Sequence, residues 1–292
     1  MKLSKLAVAV FASTALPVMA TAITTDIIAV VDESGSMSGE HAWLSGMISS
    51  LDTALAAAAG VDPFSAQYGL TGFGGTSGSG GVHYAGHEHT VGGGSLGTAA
   101  EFGTATGTLV LTGGTEDGYS GIDTALGYTT QANSIRNLIL VTDEDRDTVD
   151  GGLSYASIAA GLASDKALLN AVINSSIYCG DNTTALGMDS TGTGYKADGA
   201  GGFTTCASAY GSNIGSNLSW DHYGALALGT GGAAWDLTQL RAGGLTADSF
   251  TAAFVNIKVK ETITRNVPEP GSLGLLSLGL ASLAWSRKKA KA

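Results

Sequence analysis

The sequence predicts an α/β fold, doubly wound, with a mostly parallel central sheet flanked by helices. Three observations carry that prediction. Short apolar runs rich in β-branched residues alternate with segments whose apolar residues recur every three or four positions. The runs at 25–31 and 135–141 are nearly all apolar, as strands buried on both faces should be. An aspartate, Asp32 or Asp143, follows each run within two residues, at the strand end where open parallel sheets bind their ligands.

Taken in order, residues 25–31 form the first strand. Residues 41–59 form a helix, with Leu44, Met47, Ile48, Leu51 and Leu55 at three- and four-residue steps. A second strand covers 67–73. The Gly-rich stretch 74–106 is expected to be loops with a short strand near 83–89, and 108–111 a short extended piece. Residues 121–127 lie in a helix, 135–141 in a strand and 143–150 in an acidic loop. A helix at 155–167 and a strand at 168–177 follow. Residues 178–220 have no clear period and are taken as an insertion; 225–240 and 245–259 close the domain, the latter as a helix. The domain therefore spans 23–262, with insertions near 74–106 and 178–220.

The chain has 292 residues, 44% hydrophobic and 13% charged, with 44 Gly and only 4 Pro. That length permits one large or two small domains, and the regular apolar runs argue against a disordered chain. Residues 1–22 carry a basic start (Lys2, Lys5), an apolar centre and the small-residue site Ala20-Thr21-Ala22, the pattern of a cleaved secretory signal peptide. At the other end, 263–292, the triplet Pro268-Glu269-Pro270 precedes an apolar stretch (271–286) and then Arg287, Lys288, Lys289 and Lys291. The apolar part spans about 22 Å as a helix, short of the roughly 30 Å hydrocarbon core, so it predicts a transient membrane anchor with its basic tail on the cytoplasmic side. This three-part end resembles the PEP-CTERM sorting signal of Gram-negative, exopolysaccharide-producing bacteria. The resemblance implies transient anchoring in the inner membrane, cleavage by an exosortase-type protease, and residence at the cell surface or in the extracellular matrix. Residues 1–22 and 271–292 hold 6 of the 14 Lys and Arg and none of the 25 Asp and Glu, so the body between them has a net charge of −17. Such a surface repels nucleic acid and attracts divalent cations; no nucleic-acid partner is expected.

The densest chemistry lies in Asp32-Glu33-Ser34-Gly35-Ser36-Met37, directly after the apolar Ile27-Ile28-Ala29-Val30-Val31. A carboxylate and two hydroxyls at alternate positions in a tight turn can hold a hard divalent cation through oxygen alone. Thr115 within Gly113-Gly114-Thr115, and Asp143 within Leu140-Val141-Thr142-Asp143, supply further oxygens in later segments. Taken singly, each segment is equally a helix cap or a solvated acidic turn; the three in this order favour one shared site. The order Asp32-x-Ser34-x-Ser36, Thr115, Asp143 resembles the von Willebrand factor type A domain and its metal-ion-dependent adhesion site. That resemblance implies direct ligation by Ser34 and Ser36, direct or water-mediated ligation by Thr115, and mostly water-mediated roles for Asp32 and Asp143. The ion would be Mg²⁺, with Ca²⁺ or Mn²⁺ as competitors, and a carboxylate from a partner would complete its shell. Many members have Gly after the last aspartate, where this chain has Glu144 with Asp145 and Asp147 close behind.

Cys179 and Cys206 suit a disulfide in an exported protein, a staple worth about 3–4 kcal/mol across the insertion; free thiols or a metal pair are the alternatives. His83, His87 and His89 share one face of an extended segment and could bind Zn²⁺ or Cu²⁺, or could be solvated loop residues. No nucleophile elbow, phosphate loop or paired catalytic acid stands out, and Ser34 and Ser36 lack a recognisable His partner. The expected function is therefore binding and not catalysis: metal-dependent engagement of a protein or an acidic polysaccharide, in adhesion or in a biofilm matrix. Two other readings are a metal-assisted hydrolase of matrix polymers using acidic-loop residues between Glu144 and Asp147 as base, and a structural matrix protein with a purely stabilising ion.

Overall fold

The computed structural model describes residues 22–76 and 82–266. The predicted signal peptide, apart from its last residue, Ala22, and the predicted C-terminal segments from 267 onward, including 271–286, lie outside them. In chain order the first elements are β1 (Ile23–Asp32), α1 (Ser38–Ala59), β2 (Phe64–Phe73), β3 (Gly75–Thr76), β4 (Val82–His83), β5 (His87–His89) and α2 (Ala99–Ala105). Next come α3 (Gly118–Leu126), β6 (Ile135–Thr142), α4 (Tyr155–Ser164), β7 (Leu168–Ile173), β8 (Ser176–Tyr178), β9 (Gly187–Asp189), β10 (Gly194–Ala197), β11 (Phe203–Cys206) and β12 (Tyr210–Ser212). The last are α5 (Ala225–Gly229), β13 (Ala233–Asp236), α6 (Leu237–Arg241) and α7 (Gly244–Asn266).

Among the described residues the central sheet has nine strands in the order β11-β10-β9-β13-β7-β6-β1-β2-β5. The five in its middle, β13, β7, β6, β1 and β2, run parallel. Side chains on successive strand residues point to opposite faces, and the burial follows that period. Ile27, Ala29 and Val31 of β1 join Ile139 and Val141 of β6 in a core roofed by Leu44 and Met47 of α1, Phe102 of α2 and Phe250 and Phe254 of α7. Ile28 and Val30 join Leu138 and Leu140 in the opposite core, roofed by Ile122 of α3, Ile158 of α4 and Leu226 of α5. Helices thus cover both faces, which is why these strands carry unbroken apolar runs. The predicted fold class and the parallel centre are what the structure contains.

Several expectations need correction. The stretch 74–106 is not only loop: Thr98 and Glu101 form a reciprocal cap that starts α2, a signal the glycines around it obscured. Thr108 ends a 3-10 turn (Thr106–Thr108) instead of opening an extended piece. The strand expected over 168–177 breaks after Ile173, and Ser176–Tyr178 pairs elsewhere, with β12. Within 225–240 lies a parallel strand, β13, with all four residues buried.

The stretch 178–220 is built of strands, three of which (β9, β10, β11) extend the central sheet in antiparallel fashion. Its turns are closed by aspartates that accept backbone N–H bonds: Asp189 from Thr191 at 2.9 Å, Asp198 from Ala200 at 2.7 Å. Cys179 and Cys206 form a disulfide that fastens the end of β11 to the residue after β8, beside a small core of Ile177, Ala185, Met188 and Ala234.

Candidate metal centre

β1 and β6 are adjacent and in register, Val31 opposite Val141, so Asp32 and Thr142 end side by side at the carboxyl edge of the sheet. Thr142 Oγ1 donates to Asp32 Oδ2 at 2.8 Å, and the Ser34 backbone N–H donates to Asp32 Oδ1 at 2.8 Å. The turn after β1 curls back, leaving Ser34 Oγ and Ser36 Oγ 3.1 Å apart. Ser36 Oγ donates to Asp143 Oδ1 at 3.0 Å. Four of the five predicted site residues, Asp32, Ser34, Ser36 and Asp143, are therefore joined in one hydrogen-bonded chain. Thr115, half-buried in the loop before α3, shares no hydrogen bond with the other four among the described residues.

The loop that carries Thr115 is tied to the acidic loop. Arg146 Nε donates to the buried Asp117 Oδ1 at 2.7 Å, and Asp117 Oδ2 also accepts from the backbone of Val149 and Asp150. Asp147 N donates to Glu116 O at 2.7 Å, and Glu116 N donates to Asp147 Oδ2 at 3.3 Å. The end of the 178–220 stretch forms another wall: Asn217 Nδ2 donates to Asp143 O at 2.9 Å and Leu218 N to Asp145 Oδ2 at 3.3 Å. Glu144 does not adopt a positive φ, so the backbone there makes no demand for glycine.

Carboxylates crowd this edge. Burial pushes the Asp32 carboxyl up to about 6, against its hydrogen bonds from Ser34 and Thr142 and helped by the charge of Asp143. Burial, and then Asp32, Asp147, Glu144 and Asp143, push Glu116 up to about 8. Glu144 is raised by the same combination of burial and like charge. A cation placed here would relieve that repulsion. The protein itself supplies one at the rim. Arg241, at the end of α6, donates from Nη2 to Asp143 Oδ2 at 2.9 Å and to Ser36 O at 3.3 Å, and from Nε to the buried Glu40 Oε1 at 2.7 Å. Ser36, Gly39, Glu40, Leu240 and Arg241 line an open cavity of about 360 Å³ there. Sequence reasoning missed Arg241, Glu40 and Glu116; only the acidic Glu116-Asp117 pair beside Thr115 hinted at the last.

The doubly wound sheet and this hydroxyl–carboxylate edge define an α/β domain with an oxygen-lined site at the ends of its parallel strands. The PEP-CTERM protein-sorting motif matches residues 266–288, so the C-terminus carries a signal of exported surface proteins, as its Pro-Glu-Pro triplet predicted. Of that stretch only Asn266 is among the described residues, and no helix within the described residues is long and apolar enough to cross a membrane.

No curated protein sequence matches the chain. Solved structures similar to it include von Willebrand factor type A from Catenulispora acidiphila, with 20% identity, a TM-score of 0.32, and coverage of 52% of this chain and 33% of that one. Proximal thread matrix protein 1 from the mussel byssus has 15% identity and a TM-score of 0.36, covering 52% and 36%. The pilus adhesin SpaC from Lactobacillus rhamnosus GG has 16% identity and a TM-score of 0.36, covering 51% and 24%. The chain thus spans between 24% and 36% of the length of these solved chains.

Proposed function

We propose that this protein is an exported binding module of the cell surface or extracellular matrix, which uses one divalent cation to engage an acidic group on its partner. The observation that carries the reading is the hydrogen-bonded series Asp32–Ser34–Ser36–Asp143 at the carboxyl edge of a parallel sheet. The donor set fits a hard cation: every candidate ligand is oxygen, and the surrounding carboxylates have a surplus of negative charge. Mg²⁺ is the preferred ion, with Ca²⁺ and Mn²⁺ able to compete outside the cell. Ser34, Ser36 and Thr115 would hold it, while Asp32 and Asp143 orient the hydroxyls and balance its charge. Few direct carboxylates would leave the ion attractive to an outside oxygen ligand.

The partner would be a protein presenting Asp or Glu, or an acidic polysaccharide presenting a uronate. Arg241 at the rim supports an acidic partner, since its guanidinium lies beside the same opening. The role is binding and not turnover, with adhesion or matrix assembly as its setting, after release from the inner membrane by an exosortase-type protease.

Calorimetric titration with Mg²⁺, Ca²⁺ and Mn²⁺ tests the site. Ser34→Ala is expected to weaken Mg²⁺ binding at least tenfold with little change in far-UV circular dichroism. Equal affinity in the variant would refute the assignment. A pull-down from producer surface extract, with and without chelator, then tests whether the ion serves binding or only stability.

A further inference from the structure

The sheet order places β2 between β1 and β5. β5 is antiparallel to β2, with His87 opposite Gly72 and His89 opposite Leu70, so both imidazoles leave β5 on the same face. Glu33 extends β1 by one residue, its N–H donating to Phe73 O at 2.8 Å. Its side chain crosses β2 above Gly72, where a Cβ would lie 2.4 Å from Glu33 Oε2 and 2.7 Å from His89 Nε2. Only glycine leaves that passage open. His87 Nε2 lies 2.9 Å from Glu33 Oε2, and His89 Nε2 lies 3.2 Å from Glu33 Oε1. The Glu33 side chain is 1% exposed and that of His89 10%. Despite these distances, Glu33 Oε2 and His89 Nε2 have no hydrogen bond of normal geometry among the described residues.

The far nitrogens explain what faces the carboxylate. His87 Nδ1 is 3.2 Å from the Ala85 carbonyl, which can only accept, so Nδ1 carries the hydrogen. Thr108 Oγ1 gives its own hydrogen to Ala105 O at 2.7 Å and must therefore accept from His89 Nδ1, also at 2.7 Å. In their neutral forms both rings present an Nε2 lone pair to a carboxylate. Three electron-rich atoms, within 4.8 Å of one another, then converge on a space that needs positive charge.

We propose that Glu33, His87 and His89 form a second metal site, selective for a borderline dication of the Zn²⁺ type. Two imidazole nitrogens and one carboxylate suit such an ion far better than Mg²⁺. The Nδ1–H bonds to Ala85 and Thr108, and the Val110 N–H to Glu33 Oε1 at 2.9 Å, supply the outer contacts that orient metal ligands. His87, 24% exposed, marks the side from which the ion enters and a water completes its shell. The bound ion would clamp the edge strand β5 to the end of β1 across β2. This site shares no ligand with the oxygen cluster and stands or falls separately from it.

The test is equilibrium dialysis of the chelator-treated full-length chain against Zn²⁺ in saturating Mg²⁺. One Zn²⁺ per chain is expected for the wild type and for Ser34→Ala. His89→Gln and, as the more exposed and structurally milder change, His87→Asn should each weaken Zn²⁺ binding at least tenfold while retaining the wild-type circular dichroism spectrum. Co²⁺ in place of Zn²⁺ should give a visible absorption band that both histidine variants lose. A wild type that takes up no Zn²⁺ overturns the proposal and leaves two imidazolium protons holding the carboxylate. Undiminished Zn²⁺ in both histidine variants, or its loss in Ser34→Ala alone, equally overturns it.

Discussion

Asp32 and Glu33 are neighbours at the end of β1, yet their carboxylates enter different surroundings. Asp32 turns toward hydroxyls and backbone, accepting from Thr142 Oγ1 and Ser34 N, and burial leaves it pushed up to about 6. Glu33 turns across β2 toward two imidazoles. Burial raises its carboxyl too, but in the metal-free chain protonated His87 and His89 and the Val110 N–H outweigh that and hold it at about 2. Two carboxylates on adjacent residues thus feel opposite fields, because consecutive strand residues face opposite ways. The lesson concerns motifs: a position that a spacing rule treats as filler can belong to another site. The two regions also differ in hardness, all oxygen on one side and mostly nitrogen on the other, so they should sort metal ions between them.

The sharpest way to separate the regions is Gly72→Val. Its side chain would occupy the passage used by Glu33 and His89. We expect a loss of about 3 kcal/mol in urea unfolding and loss of Zn²⁺ uptake, with the Mg²⁺ titration preserved. If Zn²⁺ binding survived, the crossing over β2 would not be what brings the ligands together.

Arg241→Ala acts on the other side. It strips the partner from buried Glu40 and from Asp143, and Arg241 itself is partly exposed, so about 2 kcal/mol of stability should be lost. Removing a fixed cation beside the oxygen cluster should at the same time raise Mg²⁺ affinity several-fold. Calorimetry showing weaker Mg²⁺ binding would instead make Arg241 a support of the site.

The opposite pKa shifts make opposite pH signatures. A carboxyl raised on folding adds stability that is complete below its unfolded value and fades as pH rises through its folded value. Asp32 and Glu116 should therefore weaken the chelated protein as pH climbs from about 4 to about 8. His87 works in the same sense: burial lowers it, but Glu33 and the Ala85 carbonyl together more than offset this and the net direction is upward. Glu33, lowered, adds stability above about 4.5 that is lost as pH falls toward about 2. Melting temperature in chelator should peak near the crossover and decline by several degrees toward pH 8, and Mg²⁺ should flatten the alkaline decline. A flat profile in chelator would mean that the cluster is not short of positive charge.

The mildest change is Ser36→Ala, which deletes one hydroxyl between Ser34 and Asp143. It should cost under about 1 kcal/mol of stability and reduce Mg²⁺ affinity by roughly tenfold, with Zn²⁺ uptake untouched.

The parallel centre was legible because burial on both faces writes an unbroken apolar run, as in Ile27 to Val31 and Leu138 to Val141. β13 escaped notice: four residues, Ala233 to Asp236, are too few to show a period. The strands of 178–220 escaped for a different reason. They are set by Asp189 and Asp198 turns and by the disulfide, and not by alternating apolar side chains. Asp32, Ser34, Ser36 and Asp143 could be read because their spacing and strand-end placement are local. Arg241 and the meeting of Glu33 with His87 and His89 could not, since both depend on which elements the fold sets side by side. The alternation of His87 and His89 showed only half of a pattern.

The long helix α7 has a direction that matters. It starts three residues after Arg241, beside the oxygen cluster, and its 23 residues run about 34 Å. It ends where Arg265 donates to Lys166 O and Thr230 O, just ahead of β7 and β13, at the amino ends of the strands. The sorting motif begins at the final residue of this helix. Under the function proposed above, in which the sorting motif is first held at the membrane, the domain would stand on its amino-terminal pole and present the proposed cation-binding edge outward before release.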